Sequence, residues 1–62
     1  MNWQRESDGV FVSGEFRIEL IRPLDRDLKD HWLLTNESQK YWFTHPTYRS
    51  AQEAALRLKE AA

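Results

Sequence analysis

The 62-residue chain reads as a small α+β domain, and three observations carry that reading. Apolar residues alternate with polar ones through the first two thirds of the sequence, the period of half-buried strands. Turn-forming residues interrupt that alternation at short intervals. The last thirteen residues, SAQEAALRLKEAA, abandon the alternation for Ala, Leu, Glu and Lys at helical spacing. The expected architecture is a three- or four-stranded antiparallel meander with one C-terminal helix across one face. Residues 1–62 form a single domain.

The first clear hairpin is GVFVSGEFRIELIR, Gly9 to Arg22. Ser13-Gly14 suits a two-residue turn, with Gly supplying the positive φ. That register pairs Val12 with Glu15 and Phe11 with Phe16. Phe11, Phe16, Ile18 and Leu20 then share a core face, while Val10, Val12, Glu15, Arg17, Glu19 and Ile21 share the other. Pro23 lacks an N–H for the ladder and ends the strand. Arg22 to Asp30 is charged and reads as a surface loop. Leu24 and Leu28, spaced i, i+4, suit one helical turn tucked against the sheet edge.

The second hairpin is HWLLTNESQKYWFTH, His31 to His45. With Asn36 to Gln39 as the loop, Leu34 faces Tyr41, Leu33 faces Trp42 and Trp32 faces Phe43. Four of the nine residues in KYWFTHPTY, Lys40 to Tyr48, are aromatic. Alternation divides them by face: Tyr41 and Phe43 turn inward, Trp42 outward. The helix follows from Ser50, whose spacing to Glu53 fits a capping box. Ala51, Ala54, Ala55, Leu58 and Ala62 line one stripe of it, small enough to approach an aromatic sheet closely. Leu56 lies off that stripe. Before the first hairpin, Asn2 to Glu6 fits an edge strand. A three-residue loop Ser7-Asp8-Gly9 turns Trp3 inward, and a different loop length turns it outward.

Composition narrows the function. Nine Lys and Arg against ten Asp and Glu leave a net charge of −1, without the basic excess that gripping phosphate backbones usually needs. There is no Cys, so no disulfide or thiolate site can reinforce a domain of marginal size. No apolar run is long enough to span a membrane and the first residues lack a signal-peptide layout, so a cytoplasmic protein is expected. His31 and His45 flank the second hairpin and could meet across it, but no further ligands stand at metal-site spacing. Asp25, Asp27 and Asp30 lack the pattern of a calcium loop. No nucleophile–base constellation is visible. Neither an enzyme, a cofactor, a metal nor a small-molecule ligand is expected.

The face that the helix leaves open is the candidate site. It should carry Val10, Val12, Ile21, Leu33 and Trp42 among Arg17, Glu19, His31 and Lys40. Apolar residues gathered around a Trp mark interaction surfaces. The expected function is a non-enzymatic module that binds a protein partner, or a second copy of the chain, with Trp42 as anchor. Nucleic acid is the alternative. Phe43-Thr44-x-x-Thr47-x-x-Ser50-Ala51-Gln52-Glu53-Ala54-Ala55, after three strands, resembles the AP2-type and integrase amino-terminal DNA-binding domains over Phe16 to Ala62. That resemblance implies a sheet face in the major groove with Arg17, Lys40, Trp42 and Arg5 as readers. The dense basic strands of those families are absent here, and Glu15 and Glu19 fall on the face that would meet phosphate.

Overall fold

The computed structural model describes residues 1–61, so the place of Ala62 on the helix stripe lies outside the described residues. Five strands form one antiparallel sheet in sequence order: β1 (Gln4–Ser7), β2 (Val10–Ser13), β3 (Phe16–Ile21), β4 (His31–Asn36) and β5 (Tyr41–His45). Helix α1 (Tyr48–Ala61) packs over β4, with β3 and β5 on either side. The α+β meander with a C-terminal helix is as expected. The sheet has five strands rather than three or four, with Gln4–Ser7 paired as a full edge strand.

Both long hairpins sit two residues away from the expected register. In the β2–β3 hairpin Gly14, at φ 59, takes the first central position of the turn and Glu15 the second, so Ser13 pairs with Phe16. Positive φ at the first position alone is the pattern that favours Gly there. Glu15 therefore leaves the sheet, and its carboxylate accepts a 2.5 Å hydrogen bond from the Ser38 hydroxyl. In the β4–β5 hairpin the loop is Glu37 to Lys40, and Lys40 takes the left-handed conformation at φ 54. Leu34 pairs with Phe43, Leu33 with Thr44 and Trp32 with His45.

The cause of the second slip is Asn36. It is a buried strand residue rather than the first residue of the turn. Its amide nitrogen donates to Gln39 Oε1 at 3.0 Å, and its Oδ1 accepts from the Gln39 N–H at 3.3 Å. Gln39 Nε2 donates in turn to the Leu58 carbonyl at 2.9 Å, tying the turn to the last part of α1. A buried polar side chain with its partners in place costs little, whereas an unpaired one costs about 1–3 kcal/mol.

A two-residue slip keeps every side chain on its face, since the strand period is two. Ile18 and Leu34 are fully buried, with Phe16, Ala51 and Ala55 completing the core beneath α1. Trp3, Trp32, Tyr41, Tyr48, Ala54 and Leu58 pack around it. Trp3 therefore turns inward. The β1–β2 turn has two residues, but a bulge between Arg5 and Ser7 restores the pairing that a three-residue loop would have produced. Gly9, at φ 73, lets the Leu20 N–H reach its carbonyl at 2.7 Å.

The helix begins two residues earlier than expected, and its cap differs. Thr47 and Ser50 form the box: the Thr47 hydroxyl accepts from the Ser50 N–H at 3.0 Å, and the Ser50 hydroxyl accepts from the Thr47 N–H at 3.2 Å. Glu53 instead pairs with Arg49 at 3.5 Å. Starting at Tyr48 brings that ring against the core, where it meets Phe11 at 4.7 Å and Trp32 at 5.1 Å between centroids. Burial raises the Tyr48 phenol above its ordinary pKa, against a smaller opposing effect from a hydrogen bond with Gln52.

Leu24 and Leu28 do not tuck against the sheet; both are exposed. Asp25 organises their loop by accepting the Asp27 N–H at 2.9 Å, a local turn that competes with a helical one.

Candidate functional site

The open face is laid out in rows that follow from the registers. One row runs Gln4, Val12, Arg17, Thr35, Trp42 across β1 to β5. The next runs Ser7, Val10, Glu19, Leu33, Thr44. Ile21 and His31 pair beyond them on β3 and β4. The expected site residues share this face, Lys40 excepted, but they do not make one apolar patch. Arg17 and Thr35 separate Val12 from Trp42, and Glu19 separates Val10 from Leu33. Ile21 lies two strands and two rows from Trp42, more than ~15 Å at ordinary strand spacings. Leu33 alone of the apolar set is a diagonal neighbour of Trp42.

Four of the expected contacts change character. Val10 is only 8% exposed although it lies outside the core cluster, so it offers a partner almost nothing. Glu6 on β1 reaches Arg17 on β3 at 3.8 Å, and a pair bridging those strands must lie over β2, the strand that carries Val10. Arg17 is thereby engaged within the chain. Lys40 is a turn residue rather than a strand residue, and borders a shallow depression with Thr35, Glu37 and Trp42. His31 is half-buried, with Nδ1 3.4 Å from the Lys29 carbonyl.

The two histidines do not meet. His45 pairs with Trp32 on the helix side, while His31 stands on the open side. His45 instead holds Tyr41, with Nε2 3.0 Å from the phenol oxygen and the rings stacked at 6.2 Å. Among the described residues no group of three or more His, Cys, Asp or Glu could hold a metal ion. No helix there is long and apolar enough to cross a membrane.

What distinguishes the site is strand β5. Trp42, Phe43 and Thr44 are consecutive and all exposed, so β5 is bare on both of its faces. Trp42 is 71% exposed on the open side and Phe43 62% on the helix side. Phe43 points to the side expected of it but is not core. It sits on the outermost strand, beyond the shelter of α1, with Tyr41 against it at 4.9 Å. Position within the sheet, and not alternation, decides its exposure. Two adjacent apolar residues in a strand always show both faces; an unpaired edge is what makes such a pair accessible from either.

No protein-family model, curated protein or solved structure matches the chain. Over Phe16 to Ala61 the elements run β3, β4, β5, α1.

Proposed function

We propose that the chain is a small non-enzymatic interaction module of the cytoplasm. It binds a protein partner, a second copy of itself included, on the β5 side of the open sheet face. Trp42 is the anchor and Leu33 its neighbour. The observation that carries this reading is the 71% exposure of Trp42 on a regular strand whose five residues all pair with β4. A Trp side chain can bury about 150–250 Å², and Trp is among the residues that dominate binding energy when a partner covers them. The remaining face supplies a polar surround from Thr35 and Thr44, with Lys40 of the adjoining turn at its border.

A second reading, nucleic-acid binding by the same face, is favoured by the β3-β4-β5-α1 order and by Arg17 and Trp42 lying in one row. The Glu6–Arg17 pair and Glu19 at the middle of the face weigh against it. Salt separates the two readings. Sedimentation velocity at low and high salt, alone and with a mixed-sequence DNA duplex, should show association that survives high salt and weakens in Trp42→Ala. A chain that stays monomeric and moves with the duplex only at low salt is the nucleic-acid outcome.

A further inference from the structure

We infer that the occupant of the β5 flank is a second copy of this chain, added strand to strand: β5 pairs antiparallel with the partner's β5 about a two-fold axis at Phe43. This rests on the β5 side being the interaction surface and deepens it. A partner lying on the open face would cover Trp42 and leave Phe43 in water. A strand added at the edge runs beside both.

The register follows from what stops β5 at each end. Lys40, at φ 54, breaks the extended backbone before it, and Pro46 cannot donate to a ladder after it. Only an axis at Phe43 pairs all five residues, Tyr41 with the partner's His45, Trp42 with the partner's Thr44 and Phe43 with the partner's Phe43. A one-residue slip would mismatch the faces. The strand tolerates meeting itself. It carries no Asp, Glu, Lys or Arg, so no like charges are brought opposite one another, and the whole chain has a net charge of only −1.

The helices fit as well. The pairing continues the five-stranded sheet across the axis with both α1 helices on one side. Each helix sits over β4, so their axes stand three strand spacings apart, roughly 14 Å. That is wider than the ~8–10 Å of packed helices. The helices do not collide, and the gap between them is where Tyr41 and Phe43 of both copies lie. At their observed exposures the four Trp42 and Phe43 rings of a pair supply on the order of 600 Å². With the strands themselves this approaches but does not exceed the roughly 1,200–2,000 Å² of a standard interface. The dimer is therefore expected to form in a concentration-dependent equilibrium with the monomer.

A two-fold axis places residue 43 against itself, and charge exchange tests that. Sedimentation of the wild-type chain over a wide concentration range should show a monomer–dimer equilibrium. Phe43→Lys and Phe43→Glu should each be folded by circular dichroism and at least tenfold weaker in self-association, because like charges meet at the axis. Mixed in equal amounts, the two variants should dimerise again. A wild-type chain that stays monomeric at millimolar concentration overturns the inference, as does an equimolar mixture no more associated than either variant alone. If the wild type associates, both Phe43 variants associate as it does, and Trp42→Ala does not, the open-face reading stands and the edge pairing falls. If none of the three substitutions alters the association, both fall.

Discussion

The sheet ends in two exposed edge strands that are chemically opposite. In β1 all four residues, Gln4 to Ser7, are exposed; in β5 the three central residues are. The exposed side chains of β1 are Gln, Arg, Glu and Ser. Those of β5 are Trp, Phe and Thr. β1 also carries a bulge, an Arg5–Asp8 ion pair at 3.1 Å and the Glu6–Arg17 bridge. Charges and bulges are the devices by which proteins keep an edge from recruiting another strand. β5 has neither within its length. That contrast between a charged, bulged edge and an apolar one is the physical basis of the proposed function.

The contrast can be sharpened by substitution. The largest effect should come from the cross-strand pair Leu34 and Phe43, one buried and one exposed. Leu34→Ala should cost about 2–5 kcal/mol in urea unfolding, enough to unfold most of a domain of this size. Phe43→Ala should cost the monomer under ~1 kcal/mol, because an exposed ring leaves no cavity. Equal losses would mean that Phe43 is core and β5 is no open edge.

Next, replacing Arg5 and Glu6 together by Val should remove the protection of β1. With two adhesive edges the chain should grow past the dimer, visible as light-scattering mass that keeps rising with concentration. Growth no greater than wild type would mean that charge is not what guards β1. Trp42→Ala should weaken association at least tenfold while shifting monomer stability by less than ~1 kcal/mol. The smallest effect concerns Tyr48. Its phenol pKa is raised by burial, so the folded state holds its proton more tightly than the unfolded one. The resulting stability is intact below the ordinary phenol pKa of about 10 and fades as pH rises through the higher folded value. Tyr48→Phe should remove that alkaline decline, measured as the urea midpoint across pH 9 to 12.

Much of this was legible in the sequence, and the reason is parity. Both hairpin registers slipped by two residues, Gly14 moving one turn and Asn36 the other, yet Ile18, Leu34 and Trp32 stayed on the core side and Arg17, Leu33 and Trp42 on the open side. Face assignment needs only odd or even spacing, and turn chemistry that moves a register by two leaves it intact. What alternation cannot encode is distance from the sheet's edge. Alternation puts Val10 and Phe43 each on the correct face, yet both have the opposite exposure from that expected, one buried on an inner strand and the other bare on the outermost. Asn36, a buried amide spanning strand, turn and helix, resembled a turn residue because Asn usually is one. The Thr47 cap is hidden in the sequence because Ser50 and Glu53 carry the more familiar spacing.

The most direct test of the central claim is amide hydrogen exchange of β1 and β5, followed as a function of protein concentration. An edge that recruits a second copy gains hydrogen-bond partners as concentration rises, so exchange within Tyr41 to His45 should slow several-fold between micromolar and millimolar protein while exchange within Gln4 to Ser7 stays constant. Exchange in β5 that is independent of concentration, or slowing confined to β1, would contradict the account.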